Sequence, residues 1–327
     1  MSGTTIETVA AAVMAAAPFY ALATLLAAIG AVACYRQSRP AAMRSFADFI
    51  AFALPPRILF HRSARLDLWF MLVRFLARPL YAAPFAFSAV AAGAWLAGRS
   101  AFPSDASSSA PITPAVAVAL VGALIVASDF ARFFAHYLAH RVPLLWAFHK
   151  VHHSADVLIP PTALRLHPVD ELCLFLALAV ANTLVFAAFF CFFRIDVATA
   201  AQLGLDAYLV LYGLSFYPLR HSHLPLRFGA TIERVLMSPA MHQLHHGSSA
   251  RHHGKNLGLA FSLWDRVFGT FAAPEPEAGA AHPLGLGTGE RGAYGTVWAL
   301  YTTPFVELVQ PSSDARRRLA IIERPIR

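Results

Sequence analysis

Histidine is the residue type through which this chain can do chemistry, because thirteen of its fifteen histidines fall between His136 and His253 in regularly spaced clusters. HYLAH places His136 and His140 four residues apart. HKVHH places His149, His152 and His153 at i, i+3 and i+4, and HQLHH repeats that triplet with His242, His245 and His246. On a helix each set projects from one face. A neutral imidazole offers one lone pair to a metal and suits iron, zinc, copper or nickel. Any one of these histidines reads equally well as a polar cap or a headgroup contact at a membrane. The set does not, since burying about eight imidazoles without partners costs roughly 1 to 3 kcal/mol per unsatisfied atom, more than marginal stability absorbs. Two triplets and a pair can supply two ions, and coordination removes the cost.

RHSHLP adds His221 and His223. An extended chain would point both to one face and a helix would separate them, leaving one as a ligand and the other as a headgroup contact. His167 in RLHP is a weaker candidate. His252 and His253 read as readily as solvated loop residues, and His61 and His282 stand outside the pattern. Two polar side chains are candidates for the catalytic site beside the ligands. Asp129, seven residues before His136, lies two turns away on nearly the same helical face, where its carboxylate would accept an imidazole N–H and fix that ring's tautomer; pairing with Arg132 is the alternative. Asn256, with Asp265, follows the third cluster at a comparable remove.

The elements that must hold these residues are membrane helices. The 327 residues are 57% hydrophobic and 13% charged, with a mean hydropathy of +0.55, against about 25% charged residues in an ordinary soluble domain. Five stretches are apolar enough to cross a bilayer: Val9 to Cys34, Leu80 to Leu96, Pro114 to Phe134, Leu172 to Phe193 and Val197 to Tyr217. Lysine and arginine concentrate after the first, before the second, after the third and after the fifth, which places every histidine cluster on the cytoplasmic side. The last two stretches, joined by Arg194, Ile195 and Asp196, form a helical hairpin that returns the chain to the histidine face. Ala47 to Arg78 reads as an interfacial helix lying on the membrane, and Gly98 to Pro114 as a loop on the far side.

The fold class is therefore all-α, a polytopic helical membrane protein with about five transmembrane helices and a histidine-rich metal domain at its cytoplasmic face. Residues 1–45 read as a membrane anchor helix, 46–271 as the catalytic membrane domain, and 272–327 as a cytoplasmic tail without a chemical motif. The net charge of +8 sits beside apolar segments and suits anionic headgroups; no nucleic-acid partner is expected. Cys34, Cys173 and Cys191 form no CxxC pair and read as packing residues.

From Phe52 to Phe271 the chain resembles the fatty acid hydroxylase and sterol desaturase superfamily. The stretches that carry the likeness are DFARFFAHYLAH, WAFHKVHHSAD, LRLHPVDE, RHSHLP, SPAMHQLHH and KNLGLAFSLWDRVFGT, in the order that family shows. It departs from the pattern at His223, where many relatives carry Asn, and at Asp170, where many carry Glu. The resemblance implies two iron ions held by His136, His140, His149, His152, His153, His242, His245 and His246, with His221 or His223 completing the set and zinc as a substitute metal. It implies O2 as co-substrate and a lipid, fatty-acyl or sterol-like C–H bond hydroxylated or desaturated in a bacterial inner membrane. Electrons would come from an external ferredoxin, cytochrome or reductase, because no four-cysteine cluster or Gly-rich dinucleotide fingerprint is present. The rival from histidine spacing alone is a zinc-dependent membrane hydrolase or a metal transporter. A transporter would hold its ligands near the bilayer midplane, and a hydrolase needs only three.

Overall fold

The computed structural model describes residues 21–22, 24–39, 45–82, 89–98, 112–193, 195–274, 283–287 and 290–310. Among these residues the frame is built by α1 (24–38), α2 (Phe46–Ala53), α3 (Arg62–Ala82), α4 (Ala89–Leu96), α5 (Pro114–Arg141), α6 (Pro143–His153), α7 (Pro168–Phe192), α8 (Val197–Leu214), α9 (Pro239–His245) and α10 (Val297–Val309). No strand forms among the described residues, only the isolated bridges Leu236 to Phe261 and Gly247 to Leu284.

Among the described residues three helices are long and apolar enough to cross a membrane: α5, α7 and the stretch Val197–Arg220 that α8 opens. The chain is a helical membrane protein. α5 begins sharply, with Pro114 in its first turn and the Thr113 hydroxyl accepting from Val116 N. Its 28 residues extend about 42 Å at about 1.5 Å per residue, against a hydrocarbon core of about 30 Å. Its last two turns therefore emerge from the apolar layer, and they carry His136 and His140. α5 packs against α7 and α8, and α4 against α7, around Leu120, Leu124, Phe186, Phe190, Ala200 and Ala207. Gly93 permits the α4 approach, since a Cβ there would stand 2.6 Å from Phe186 Cβ. The opposite faces expose Val118, Leu176, Val180, Leu184 and Val210, the side chains that meet lipid.

Two of the five expected crossings lie partly outside the described residues. Residues 1–20 and 23 of the first lie outside the described residues, and its remainder belongs to α1. Leu80 to Ala82 closes α3 and Ala89 to Leu96 forms α4, with 83–88 again outside. Residues 99–111 of the expected far-side loop and Arg194 of the hairpin also lie outside.

α3 is docked by buried charge. Glu171, at the start of α7, accepts from Arg74 Nε (3.1 Å) and Nη2 (2.5 Å), from Arg78 Nε (2.9 Å) and from the Tyr81 hydroxyl (2.7 Å). Arg165, after α6, donates from Nε to Asp67 (2.5 Å) and from Nη2 to Ser63 O. Part of the expected cytoplasmic tail packs against the core, while residues 275–282, 288–289 and 311–327 lie outside the described residues. Over residues 290–310 the chain returns to the core, where Tyr294 and Leu300 pack with Phe70, Val151 and Leu286. Lys150, inside the second histidine cluster, is buried and donates to Glu290 (3.0 Å) and to Glu307 (2.6 Å). A lone glutamate in the otherwise apolar α10 was the sequence signal for this contact.

Replacing Glu171 by Ala strands Arg74 beside a buried helix end, and breaking a buried pair from one side costs about 3 to 5 kcal/mol. A clear fall in Tm of the purified protein is expected. An unchanged Tm would mean that α3 is held by packing alone.

Candidate metal centre

Proline sets the geometry that brings the clusters together. The residue before a proline avoids the helical region, so Val142 is extended (φ −93°, ψ 116°) and the chain breaks between α5 and α6 at Pro143. The two helices then present His136 and His140 to His149 and His153, with ring centroids 4.8 to 5.0 Å apart along this row. Ser238, extended before Pro239, starts α9 in the same way. After α8, Phe216 takes a left-handed conformation (φ 45°) and a single turn, Tyr217–Arg220, delivers His221.

Nine histidines form two groups whose ligand atoms lie within 4.8 Å of one another inside each group. The first is His136, His140, His149, His153 and His245; the second is His152, His221, His242 and His246. Each triplet is divided between them, because i+3 and i+4 neighbours lean to opposite sides of one helical face. The groups abut, with ring centroids 4.6 Å apart from His153 to His246 and 5.2 Å from His242 to His245.

The hydrogen bonds decide which nitrogen faces inward. His136 Nδ1 donates to Leu257 O (2.8 Å), His245 Nδ1 to Lys255 O (2.7 Å) and His149 Nδ1 to the Asp170 carboxylate (2.9 Å). Carbonyls and carboxylates only accept, so these Nδ1 atoms carry the proton and each neutral ring keeps its lone pair on Nε2. In the first group all five Nε2 atoms are buried without a hydrogen-bond partner, and His246 Nε2 adds a sixth in the second. Unpaired, six such atoms cost roughly 6 to 18 kcal/mol, as much as the whole stability of a typical protein, about 5 to 15 kcal/mol. The donor set fits metal binding, all-nitrogen and lone-pair-bearing.

In the second group His221 Nε2 lies 3.1 Å from His152 Nε2 and 2.9 Å from His242 Nε2. Lone pairs so close tolerate each other only with a proton or a cation between them. His242 differs from the others, because Arg220 Nη2 donates to its Nδ1 (2.7 Å). That contact leaves the neutral ring's proton on Nε2, which a metal must displace. Burial, with neighbouring rings and Arg220 acting after it, holds His152, His153, His242 and His246 well below the ordinary imidazole range, and His245 is pushed down to about 3. Burial thus favours the neutral form of these five rings, the state in which imidazole binds metal.

A cavity of about 110 Å³ lies against both groups, touching His136 and His149 of the first and His152, His221 and His242 of the second. Most of its wall is apolar, with Phe148, Leu166, Val169 and Leu174 among the lining residues.

The stretch that holds all nine histidines, residues 121–270, matches the fatty acid hydroxylase family. Over 145 residues the chain is 29% identical to the alkylglycerol monooxygenase of Danio rerio, covering 43% of this chain and 28% of that protein. The Homo sapiens alkylglycerol monooxygenase is 26% identical over 145 residues, covering 44% and 29% respectively. The ornithine lipid hydroxylase OlsE of Rhizobium tropici is 29% identical over 130 residues, 40% of this chain and 35% of that protein. The chain thus spans about a third of the length of these relatives. No solved structure matched it.

Some expected site residues take other positions. His223 joins neither group; its ring Nε2 donates to Phe52 O (2.8 Å) and pins α2. The reason is a tight turn at Ser222, whose hydroxyl donates to Leu219 O and accepts from Leu224 N, so His221 and His223 diverge. Asp129 touches neither an imidazole nor Arg132. Its carboxylate accepts from Ala260 N (2.7 Å), Phe261 N (3.2 Å) and Trp264 Nε1 (2.8 Å). Asn256, left-handed at φ 54°, donates to Met241 O and Ala272 O and accepts from Ala272 N. Asp265 accepts from Leu257 N and Gly258 N. These three brace the 255–265 loop, whose carbonyls in turn orient His136 and His245. His167 caps α7, His61 accepts from Ser63 N, His252 and His253 lie outside both groups, and His282 is outside the described residues.

The carboxylate that does meet a ligand candidate, Asp170, sits in the first turn of α7, where an acidic residue reads first as helix-dipole complement. Asp170→Ala should weaken metal retention about 10- to 100-fold, measured as metal content after chelator competition; unchanged retention would make the contact incidental. In chelator-treated protein, stability should fall as pH drops from about 7 towards 5. The unfolded chain takes up protons near pH 6.5 on histidines that stay neutral when folded, so acid favours unfolding. A Tm that is flat over this range would contradict burial of the rings.

Proposed function

We propose that this chain is a membrane-bound lipid hydroxylase that uses two iron ions, O2 and external electrons to oxidise a lipid C–H bond. The observation that carries the reading is the pair of abutting imidazole groups sharing the wall of one largely apolar cavity. The family match and the relatives named alkylglycerol monooxygenase and ornithine lipid hydroxylase support it.

His136, His140, His149, His153 and His245 would hold one ion and His152, His221, His242 and His246 the other. When bound, the irons would supply O2 reduction and an oxidant able to remove hydrogen from an unactivated carbon. The protein's own part is to orient and exclude. Leu257 O, Lys255 O and Asp170 fix the imidazole tautomers, while Phe148, Leu166, Val169 and Leu174 offer an apolar wall for the substrate chain. The balance for hydroxylation is one lipid C–H bond, one O2, two electrons and two protons in, and one alcohol and one water out. A ferredoxin, a cytochrome or a reductase would deliver the electrons.

The catalytic unit in this reading comprises residues 46–271 with the returning segment 290–310. The charge bias of the loops supports a cytoplasmic site in a bacterial inner membrane.

Lipid mass spectrometry of a strain lacking this gene, complemented with the natural chain or with His152→Ala, tests the proposal. The natural chain should restore a lipid about 16 Da heavier, the mass of one oxygen, than its precursor, and His152→Ala should insert normally and restore nothing. A product lighter by two hydrogens would mean desaturation. Activity that survives His152→Ala, or that requires zinc, would overturn the hydroxylase.

A further inference from the structure

One charged group on the cavity wall is used neither by the histidine groups nor by the frame. Arg132 stands on α5 one turn before His136, about 6 Å along the axis, and lines the same cavity. Its Nε is buried without a hydrogen-bond partner, and among the described residues no carboxylate pairs with it. Asp129, the nearest acid on its own helix, is bound to Ala260, Phe261 and Trp264. The guanidinium carbon is 5.9 Å from the Tyr208 ring, which covers one face and leaves the fork of donors open.

The other charges at the cavity do not satisfy it. Arg220 is a second guanidinium on the wall. It donates to Gly258 O, Leu259 O and His242, and its own Nε is also unpartnered. Asp170, the lining carboxylate, receives His149. Two like charges on a largely apolar wall, one with no acceptor among the described residues, make the cavity short of an anion. A guanidinium fork matches carboxylate and phosphate oxygens in two parallel hydrogen bonds.

We propose that Arg132 binds the acidic head of the lipid substrate, a carboxylate or a phosphate, and thereby fixes which end of the lipid meets the histidines. The inference rests on the lipid-hydroxylase reading and narrows it to acidic lipids held within one helical turn of the first histidine. Carbons near the head, not the distant methyl end, then face the metal groups.

The test is equilibrium binding of radiolabelled laurate, dodecyl phosphate and dodecanol to the metal-loaded protein in an uncharged maltoside detergent. One or both acids should bind at least about tenfold more tightly than dodecanol, the scale of a hydrogen-bonded charge. The tighter acid distinguishes a fatty carboxylate from a phospholipid source. Arg132→Gln should remove the preference while metal content stays unchanged. Arg132→Lys should keep part of it, and Arg141→Gln, an exposed cation on the same helix, should keep all of it. Equal binding of acids and dodecanol by the natural chain, or a preference that survives Arg132→Gln, overturns the role of Arg132 and leaves the hydroxylase reading standing. Failure of all three ligands to bind overturns both.

Discussion

The structure is organised around an arrangement that is unfavourable by itself: nine imidazoles turned so that their ring nitrogens meet in two small volumes. In the first group the outer nitrogens of His136, His149 and His245 are tied to Leu257 O, Asp170 and Lys255 O, and the inner nitrogens face one another without hydrogen-bond partners. Only a Lewis acid or a set of protons relieves such a cluster, and burial keeps protons away. Much of the surrounding polar network serves to keep the rings in this orientation. Asp129, Asp265 and Asn256 hold the 255–265 loop, and Arg220 joins that loop to the second group through Gly258, Leu259 and His242.

The membrane frame places this cluster rather than composing it. α5 is longer than the apolar layer it crosses, so its histidines emerge while its apolar turns stay among α7 and α8. The helices that continue the site, α6 and α9, are short, each begun by a proline and packed beneath the spans. α3 and the returning 290–310 segment close the outside through buried ion pairs at Asp67, Glu171 and Lys150. A rigid shell of this kind is what a metal site requires, since ligand geometry within a few tenths of an ångström decides affinity.

The histidine clusters were legible because their spacing is the helical repeat itself, and a local periodicity survives folding. Apolar length likewise revealed α5, α7 and α8. The division of each triplet between two groups was not legible, since it depends on how α6 and α9 are rolled against each other. The role of Asp129 was misjudged for a related reason. Seven residues along a helix gives a direction, but which loop packs there is a tertiary fact, and the backbone of Ala260 and Phe261 arrived first. His221 and His223 could be separated only by the turn at Ser222. Asp170 stood out in the sequence only as a departure from the family pattern, and Glu307 falls in a tail without a chemical motif.

Anomalous scattering at the iron edge, from crystals of the metal-loaded protein, would locate the ions among the histidines. Two peaks are predicted in each chain, one about 2.0 to 2.2 Å, a normal metal–nitrogen distance, from Nε2 atoms of the His136, His140, His149, His153 and His245 group. The other is predicted at the same distance from Nε2 atoms of the His152, His221, His242 and His246 group. A single peak, or peaks away from these nitrogens, would mean that the two histidine groups do not hold a pair of ions.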